Sequence, residues 1–323
     1  KDNLDSNFPT VKFFCYPIKE IMNYSPLRYP GGKTSLYDFL NKTIKANNIV
    51  DGVYVEAFAG GAGAALKLLM LENVYEIHLN DKDEMVYKFW YAILNHTEEF
   101  IQKIRDCKLD MEEWSYRRQI LQDIQLRNTL SDLEIGFTTF YLNRCNRSGI
   151  IKAGVIGGNS QTGEWKMDAR FNKSDLISKI EKISYYKDRI KIYNQDAVAF
   201  LRSIEKSIDD KRNLLLYLDP PYVEQGEGLY NVFYRNDDHL KLSKFLQKES
   251  NCNWLVSYDD HPLIHTIYKE VRKNIFEFNY FANKTKVGRE LVICSKNCRM
   301  TDSYLHYSKA KNILQETKEK LAM

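Results

Sequence analysis

The stretch Leu214–Tyr222, with the sequence LLLYLDPPY, is an apolar run that stops at an acid, two prolines and an aromatic ring. The run predicts a buried strand. Because proline cannot donate to a sheet ladder and its φ angle is fixed, the strand must end at Pro220 in a stiff turn. Asp219 and Tyr222 are thereby held at the carboxyl end of a strand, where open α/β sheets bind ligands. A plain strand and proline turn is the competing interpretation.

Composition places the chain among α/β proteins. It has 323 residues, of which 44% are hydrophobic and 13% aromatic, enough for one large domain with an insertion or a second lobe. Polar helical patterns alternate with short β-rich runs. The net charge of +4 does not by itself establish a nucleic-acid partner. Residues 141–173, however, carry six lysines and arginines against two acids, and residues 284–320 are also basic.

The spacing of the cysteines and the hydropathy of the sequence argue against a zinc protein and against a membrane-spanning protein. The six cysteines include no C-x-x-C pair and no zinc spacing with histidine, so we expect reduced thiols and no metal. No apolar run reaches the roughly 18 residues of a membrane span, and no signal peptide is recognisable. These features favour a cytoplasmic protein with no membrane partner.

A turn-rich loop, Tyr29-Pro30-Gly31-Gly32-Lys33, leads into a helical pattern over residues 35–44. Gly31 and Gly32 allow close approach of a ligand, and Lys33 stands at a helix start. The loop is not a phosphate-binding P-loop, because that frame requires a glycine where Leu27 stands. Lys33 is either an anion contact or a solvated lysine.

The segment Val53–Gly63 predicts a strand and a glycine-rich turn, and a helix follows over residues 64–71. That order opens a doubly wound sheet, but the glycines do not form the G-x-G-x-x-G of a dinucleotide site. A second strand, Tyr75–Asn80, ends at Asp81. An acid there can bind ribose hydroxyls, or it can cap the helix predicted from Glu84.

Residues 84–187 are mostly helical in pattern, with one basic exception after Tyr141. Asn143–Gly149 carries Arg144, Asn146 and Arg147, and five of the 15 glycines fall between 149 and 163. Arginines, amides and glycines together suit a mobile loop that contacts phosphates and base edges, although a merely solvated loop remains open.

The second half of the chain repeats the strand-and-acid pattern. A strand over residues 190–194 ends near Asp196, and another over residues 253–258 ends at Asp259. Two further strands are predicted over 275–280 and 290–294, and a basic amphipathic helix over 302–321.

The residues of the Asp219 turn can activate an exocyclic amine. The exocyclic amine of adenine is a poor nucleophile, because its lone pair is delocalised into the ring. Asp219 and the carbonyl of Pro220 can each accept one N–H of that amine and localise the lone pair, which stabilises the transition state more than the ground state. Tyr222 would stack on the base, which must leave the duplex to reach it.

Four segments together resemble Dam-like DNA adenine-N6 methyltransferases over about residues 24–298. They are residues 29–33, Glu56-Ala57-Phe58-Ala59-Gly60-Gly61, Asn80-Asp81 and Asp219-Pro220-Pro221-Tyr222. The resemblance implies S-adenosylmethionine as cofactor and double-stranded DNA as substrate. It also implies an α/β fold, in which a Rossmann-like methyltransferase sheet with an antiparallel last hairpin carries an inserted, mostly helical target-recognition domain.

The resemblance assigns domains and residues. The catalytic domain would comprise residues 24–85 and 180–300, the DNA-binding insertion residues 86–179, and a C-terminal helix residues 301–323. The cofactor-binding residues would be Tyr29, Lys33, Glu56, Phe58, Gly60, Gly61, Asp81, Asp196 and Asp219. The catalytic residues would be Asp219, Pro220, Pro221 and Tyr222. The DNA contacts would be Arg144, Asn146 and Arg147. Family members often carry tryptophan where Tyr29 stands and proline where Ala57 stands.

Alternatives stay open at this point. Cytosine-N4 relatives more usually carry serine at the Asp219 position and glutamine-modifying relatives asparagine, so Asp219 favours adenine. A catalytically inactive DNA-binding protein with the same fold is the second hypothesis, and a nicotinamide oxidoreductase a distant third. A cognate restriction endonuclease is a possible partner, and the resemblance implies a bacterial or phage-encoded, nucleoid-associated enzyme.

Overall fold

The centre of the molecule is one sheet of seven strands. The computed structural model describes residues 23–28, 33–223, 234–282 and 284–300. The strands are β1 Val53–Glu56, β2 Glu76–Asn80, β3 Ile190–Tyr193, β4 Leu214–Leu218, β5 Asn253–Asp259, β6 Lys273–Ala282 and β7 Lys284–Cys294. Their order across the sheet is β3-β2-β1-β4-β5-β7-β6. The strands β1 to β5 run parallel, and β7 is antiparallel to β5 and β6. The predicted α/β class with a Rossmann-like sheet and an antiparallel last hairpin is confirmed.

The apolar run that ends at Asp219 is the strand β4, which lies between β1 and β5. All five of its residues are buried. Successive side chains of a strand point to opposite faces. Leu215 and Tyr217 accordingly pack into one hydrophobic core, and Leu214, Leu216 and Leu218 into a second one. Because both faces are covered, every position of the strand must be apolar.

Helices cover the two faces of the sheet. Residues of the helices Tyr37–Ala46 and Gly63–Met70 belong to the first core, and residues of Ala197–Ser207 and Asn236–Lys248 to the second. The short helix Pro262–Ile267 follows β5. No helix in the described ranges is long and apolar enough to cross a membrane.

The insertion between β2 and β3 is helical, as predicted. Its helices are Glu84–Asn95, Thr97–Asp106, Met111–Gln122, Ile124–Asn128, Asp132–Cys145 and Lys173–Tyr185. Phenylalanines at 89, 100, 137, 140 and 171 form an aromatic cluster with ring centroids 5.3 to 6.1 Å apart. This cluster belongs to the same core that covers the first face of the sheet. The insertion is therefore packed onto the sheet, and the domain boundaries given above remain predictions.

The last hairpin is longer than the sequence pattern suggested. The strands predicted over 275–280 and 290–294 extend to Lys273–Ala282 and Lys284–Cys294. Lys284, Lys286 and Arg289 lie between the two predicted strands in the sequence, and a hairpin at the edge of a sheet tolerates charges within its strands. The helix predicted over 302–321 lies outside the described residues.

Candidate active site

Three acidic residues lie at the carboxyl ends of adjacent parallel strands. Glu56 is the last residue of β1, Asp219 follows β4 and Asp81 follows β2. The strand order reverses at β1, with β2 and β3 on one side of it and β4 and β5 on the other. Such a switch point leaves a crevice beyond the carboxyl ends of the strands, where ligands bind. The candidate active site therefore lies beyond the carboxyl ends of β1, β2 and β4.

Asp219 is held by the neighbouring strand. Ser257 of β5 donates its hydroxyl hydrogen to Asp219 Oδ1, with the oxygens 2.8 Å apart. Ser257 is fully buried, whereas Asp219 is half-buried. The carboxylate is thus fixed from the interior and lies at the rim of the crevice, where it can accept a hydrogen bond from a ligand.

Glu56 is buried beside Asp219. Its Oε1 accepts a hydrogen bond of 3.0 Å from the Tyr54 hydroxyl, and the backbone N–H of Ala65 donates to the same carboxyl group. Burial, with the negative charge of Asp219 added to it, raises the pKa of Glu56 to about 8. At neutral pH Glu56 is therefore mostly protonated. Glu56 is only 5% exposed, and its cofactor-binding role stays a prediction.

The turn after Asp219 is fastened at two points. The Tyr222 hydroxyl donates to Oε1 of Glu290, a buried residue of β7, over 2.7 Å. The backbone N–H of Val223 donates to Asp259 Oδ1 over 3.3 Å. Pro220 is buried within this turn, and Pro221 is half-buried. Tyr222 is three residues from Asp219. The two hydrogen bonds therefore hold its ring beyond the carboxyl end of β4, where Asp219 also lies.

The glycine turn after β1 is held through the backbone of Gly60. Gly60 has a φ of +47°, in the left-handed region that glycine favours. Its N–H donates to Asp81 Oδ2 over 2.9 Å, and its carbonyl accepts from Trp90 Nε1 over 2.9 Å. Gly61 is buried in the same turn. A side chain at Gly63 would collide with Thr34, which places the segment after Lys33 against this turn.

Asp81 serves the glycine turn and does not cap the helix that follows. The helix cap is Asp83, whose side chain accepts from the N–H of Met85 over 2.9 Å. Asp81 accepts instead from the backbone N–H groups of Gly60 and Asp83. Burial, and next the charge of Asp83, raise the pKa of Asp81 to about 7. Of the two roles weighed from the sequence, the capping role is wrong and the ribose-binding role stays a prediction.

The loops after β2 and β3 lie side by side. Asn80, which is fully buried, donates to the carbonyls of Ala57 and Gln195 over 3.0 and 3.1 Å and so joins the ends of three strands. The side chain of Asn194 donates to the Asp81 carbonyl over 2.7 Å. Asp196 is exposed, caps the helix Ala197–Ser207 and lies 3.3 Å from Lys82 Nζ. Asp81 and Asp196 therefore both lie beyond the carboxyl ends of the adjacent strands β2 and β3.

The aromatic and amino-terminal candidates are placed in part. The ring of Phe58 packs edge-to-face on Tyr234, with centroids 5.5 Å apart. Tyr29, with Pro30 to Gly32, lies outside the described residues. Lys33 begins the 3-10 turn Lys33–Leu36, and its side chain is outside the described part of the chain.

Two of the three predicted DNA contacts are interior. Arg144 is 9% exposed; its Nε donates to the Arg170 carbonyl over 2.7 Å and its guanidinium to the Pro26 carbonyl over 3.4 Å. Burial, and then the charge of Arg28, lower the pKa of Arg144 to about 10, so it stays charged at neutral pH. Asn146 is fully buried, accepts from the Trp114 indole over 2.7 Å and donates to the Ile151 carbonyl over 2.8 Å. Both side chains hold the segment together.

The third candidate, Arg147, is exposed. Its backbone N–H donates to the Gly154 carbonyl over 3.0 Å, next to an isolated antiparallel bridge between Asn146 and Val155. Further exposed residues of this segment are Lys152, Trp165, Lys166 and Arg170. Trp165 is 65% exposed, although large aromatic side chains are usually covered. The segment is thus a hydrogen-bonded surface that carries cations and one uncovered indole.

Sequence reasoning missed the residues that hold the site from behind. Ser257 interrupts the otherwise apolar Trp254–Tyr258, whereas Asn80 ends a strand that already contains Glu76 and His78. A polar residue at a buried strand position costs free energy unless it is hydrogen-bonded, so the interruption at Ser257 was a signal. Glu290 and Trp90 gave no such local signal, because their partners Tyr222 and Gly60 are distant in sequence. In the described ranges, no three His, Cys, Asp or Glu side chains are grouped to hold a metal ion.

One family of known proteins matches most of the chain. The profile of the D12 class N6 adenine-specific DNA methyltransferase family matches residues 29–286. Among solved structures, the rRNA methyltransferase aviRa from Streptomyces viridochromogenes matches with 10% identity and a TM-score of 0.35, over 89% of this chain and 88% of that one. No curated protein sequence matches. The family profile covers most of the chain, from Tyr29 through β6 and into β7.

Proposed function

This chain belongs to the D12 class of N6 adenine-specific DNA methyltransferases, and from that membership we propose which of its residues act on the adenine. The enzyme methylates DNA at the N6 amine of adenine. Our proposal is that Asp219 and the backbone carbonyl of Pro220 accept the two N–H groups of that amine. The observation that carries the proposal is the Asp219 carboxylate, fixed by Ser257 at the carboxyl end of β4.

The chemical task of these two acceptors is to make the amine nucleophilic. In free adenine the amine is planar, because its lone pair is delocalised into the ring. Two acceptors aimed at its hydrogens favour a tetrahedral nitrogen, and they favour it more as positive charge develops during methylation. Glu56 supports this role, since its protonation at neutral pH leaves Asp219 without a second full negative charge beside it.

Tyr222 is proposed to receive the flipped base. An adenine inside a duplex cannot reach a crevice at the edge of a sheet, so it must leave the stack. An aromatic ring offers a flat surface that replaces part of the lost stacking. The hydrogen bond from Tyr222 to Glu290 leaves the ring little freedom, so less entropy is lost when the base binds.

The cofactor of this proposal is S-adenosylmethionine, which members of methyltransferase families generally use. The residues present fit such a group: the half-buried carboxylate of Asp81 suits ribose hydroxyls, and the exposed Asp196 lies at the neighbouring strand end. Gly60 and Gly61 would leave room for the methionine part, with Phe58 packing beside it. The cofactor supplies an electrophilic methyl group on a sulfonium. Tyr29 and Lys33 complete the proposed set from the amino-terminal loop.

The DNA-binding surface is proposed to be the helical insertion, residues 86–179. Arg147, Lys152, Lys166 and Arg170 are exposed cations that can contact phosphates. Arg144 and Asn146 would serve DNA binding by fixing the backbone that presents these cations. A cognate restriction endonuclease and a cytoplasmic, nucleoid-associated location in a bacterium or phage-infected cell are further proposals from the same family membership.

The test is the identity of the methylated nucleoside. Unmethylated genomic DNA is incubated with the protein and S-adenosylmethionine labelled in the methyl group, then digested to nucleosides and separated. The label is expected in N6-methyldeoxyadenosine. Label in N4-methyldeoxycytidine would overturn the assignment of the Asp219 site to adenine, and transfer to no nucleoside would support an inactive DNA-binding protein.

A further inference from the structure

A chain of hydroxyl groups runs from the hydrophobic core to Asp219. The hydroxyl oxygens of Tyr217 on β4 and Ser257 on β5 are 2.9 Å apart, and Ser257 Oγ lies 2.8 Å from Asp219 Oδ1. Tyr217 and Ser257 are both buried, at 2% and 0% exposure. A buried hydroxyl costs free energy unless it is hydrogen-bonded, and an alanine would suit this apolar strand better. These two hydrogen-bonded hydroxyl groups therefore have a role that packing does not explain.

The direction of the chain follows from counting protons. Ser257 has one hydroxyl hydrogen, and the oxygens that can accept it are Asp219 Oδ1 at 2.8 Å, the Tyr217 hydroxyl at 2.9 Å and the Leu218 carbonyl at 3.5 Å. The shorter contact to a charged acceptor is the stronger one. An ionised carboxylate can only accept, so the serine hydrogen points to Asp219. The Tyr217 hydroxyl is then the donor to Ser257.

We propose that Ser257, polarised by Tyr217, is a positioning residue for methyl transfer, which it serves by fixing the Asp219 carboxylate and keeping it ionised. The proposal rests on the function proposed above for Asp219. A hydroxyl that donates to the charged form of an acid favours that form. Successive hydrogen bonds in one chain also strengthen one another, so Tyr217 makes Ser257 a better donor. Tyr54 and Glu56 belong to β1, on the side of Asp219 away from Ser257. Burial, together with nearby charges that include Asp219, raises the pKa of both groups.

The first measurement is the turnover of Ser257→Ala. We expect kcat to fall roughly 10- to 100-fold, as the loss of one hydrogen bond to a charged group predicts, and KM for DNA and for S-adenosylmethionine to change little. The matched control is Ser243→Ala. Ser243 is also buried and donates to the Ile267 carbonyl over 2.9 Å, but it lies on the helix Asn236–Lys248. Its loss is expected to lower thermal stability and leave kcat unchanged.

The second measurement is the pH profile of kcat, which a purely structural serine would not move. In Ser257→Ala the acidic limb of the profile is expected at higher pH than in the wild type, because the carboxylate has lost a donor that favours its charged form. The limb stays in place in Ser243→Ala. Tyr217→Phe keeps the serine and is expected to shift the limb in the same direction, with kcat reduced roughly two- to fivefold.

The outcomes separate this inference from the proposed function. Wild-type kcat in Ser257→Ala, or a reduced kcat with an unmoved acidic limb, overturns the role of Ser257. If Ser257→Ala does not fold, Tyr217→Phe decides, and an unmoved limb in that variant overturns it as well. Asp219→Ala is measured in the same assay. Full activity of Asp219→Ala contradicts the proposed function itself, whereas an inactive Asp219→Ala beside a fully active Ser257→Ala contradicts this inference alone.

Discussion

Two regions of the molecule each bury an ionisable group of the predicted site, with opposite results. At the carboxyl edge of the sheet, burial raises the pKa of Glu56 to about 8, so the group becomes neutral near physiological pH. In the insertion, burial lowers the pKa of Arg144 to about 10, so that group stays charged. A buried carboxylic acid can give up its charge, whereas a buried guanidinium must be satisfied by carbonyls. The first region is therefore pH-sensitive, and the second is a scaffold.

The largest stability effect is expected at the scaffold. Arg144→Ala removes the donors to the Arg170 and Pro26 carbonyls, and the free energy of unfolding should fall by roughly 3 kcal/mol. Arg118→Ala is the matched control, because Arg118 also donates to two carbonyls, those of Lys152 and Ala153, from a half-buried position. Its loss should cost less than about 1 kcal/mol, since water can replace it. Denaturant unfolding measures both.

A stable Arg144→Ala protein that no longer binds DNA would contradict the scaffold role. The comparison between the two regions would then fail, because Arg144 would act at the DNA surface as the sequence suggested.

The next effect is a pH dependence of stability at the carboxyl edge. Because the pKa of Glu56 is raised in the folded state, the folded protein holds a proton that the unfolded chain has lost, so stability falls as pH rises. Between pH 6 and pH 8 this loss should reach roughly 2 kcal/mol. Glu56→Gln mimics the protonated acid and should remove that part of the pH dependence. Urea titrations of both proteins at several pH values measure it, and equal slopes would contradict the buried, neutral acid.

The smallest effect is expected at an exposed cation. Arg147→Ala should weaken DNA binding by roughly 1 kcal/mol, reduce the slope of log K against log salt by about one, and leave stability unchanged. Arg212→Ala is the control, because Arg212 is also exposed but precedes β4, at the end of the strand away from Asp219. Fluorescence anisotropy at several salt concentrations tests both. Equal losses in the two variants would show a general charge effect.

The same contrast explains how much the sequence could predict. Around the sheet, the apolar run of β4 and the prolines after it fix where Asp219 must lie, because a strand has a defined end and neighbouring parallel strands share an edge. The parallel strands along the chain, the glycine turn and the acids at the ends of β1, β2 and β4 follow from patterns of this kind, whereas the antiparallel last hairpin was implied by the family resemblance. The partners of the residues behind the site do not follow from such patterns, since the contacts of Ser257 and Glu290 join segments that are distant in sequence.

In the insertion, composition predicted a basic segment but not which side chains face solvent. Arg144 lies in the last turn of the helix Asp132–Cys145 and is buried with it, whereas Arg147 lies beyond the helix end and is exposed. These two arginines are three residues apart and look equivalent in the sequence. Arg144 is buried through its contacts with Pro26 and Arg170. Both residues are distant from it in the sequence, so no local sequence pattern distinguishes Arg144 from Arg147.

The most direct test of the account measures binding and chemistry in one variant, Asp219→Ala. Cofactor affinity is measured by calorimetry, and methyl transfer is measured in a single turnover on duplex DNA. Asp210→Ala, which removes an exposed acid ahead of β4, is the control. We predict that Asp219→Ala loses roughly a thousandfold or more in transfer rate, while cofactor affinity falls less than about tenfold. A transfer rate close to that of Asp210→Ala would contradict the claim that this carboxylate activates the amine.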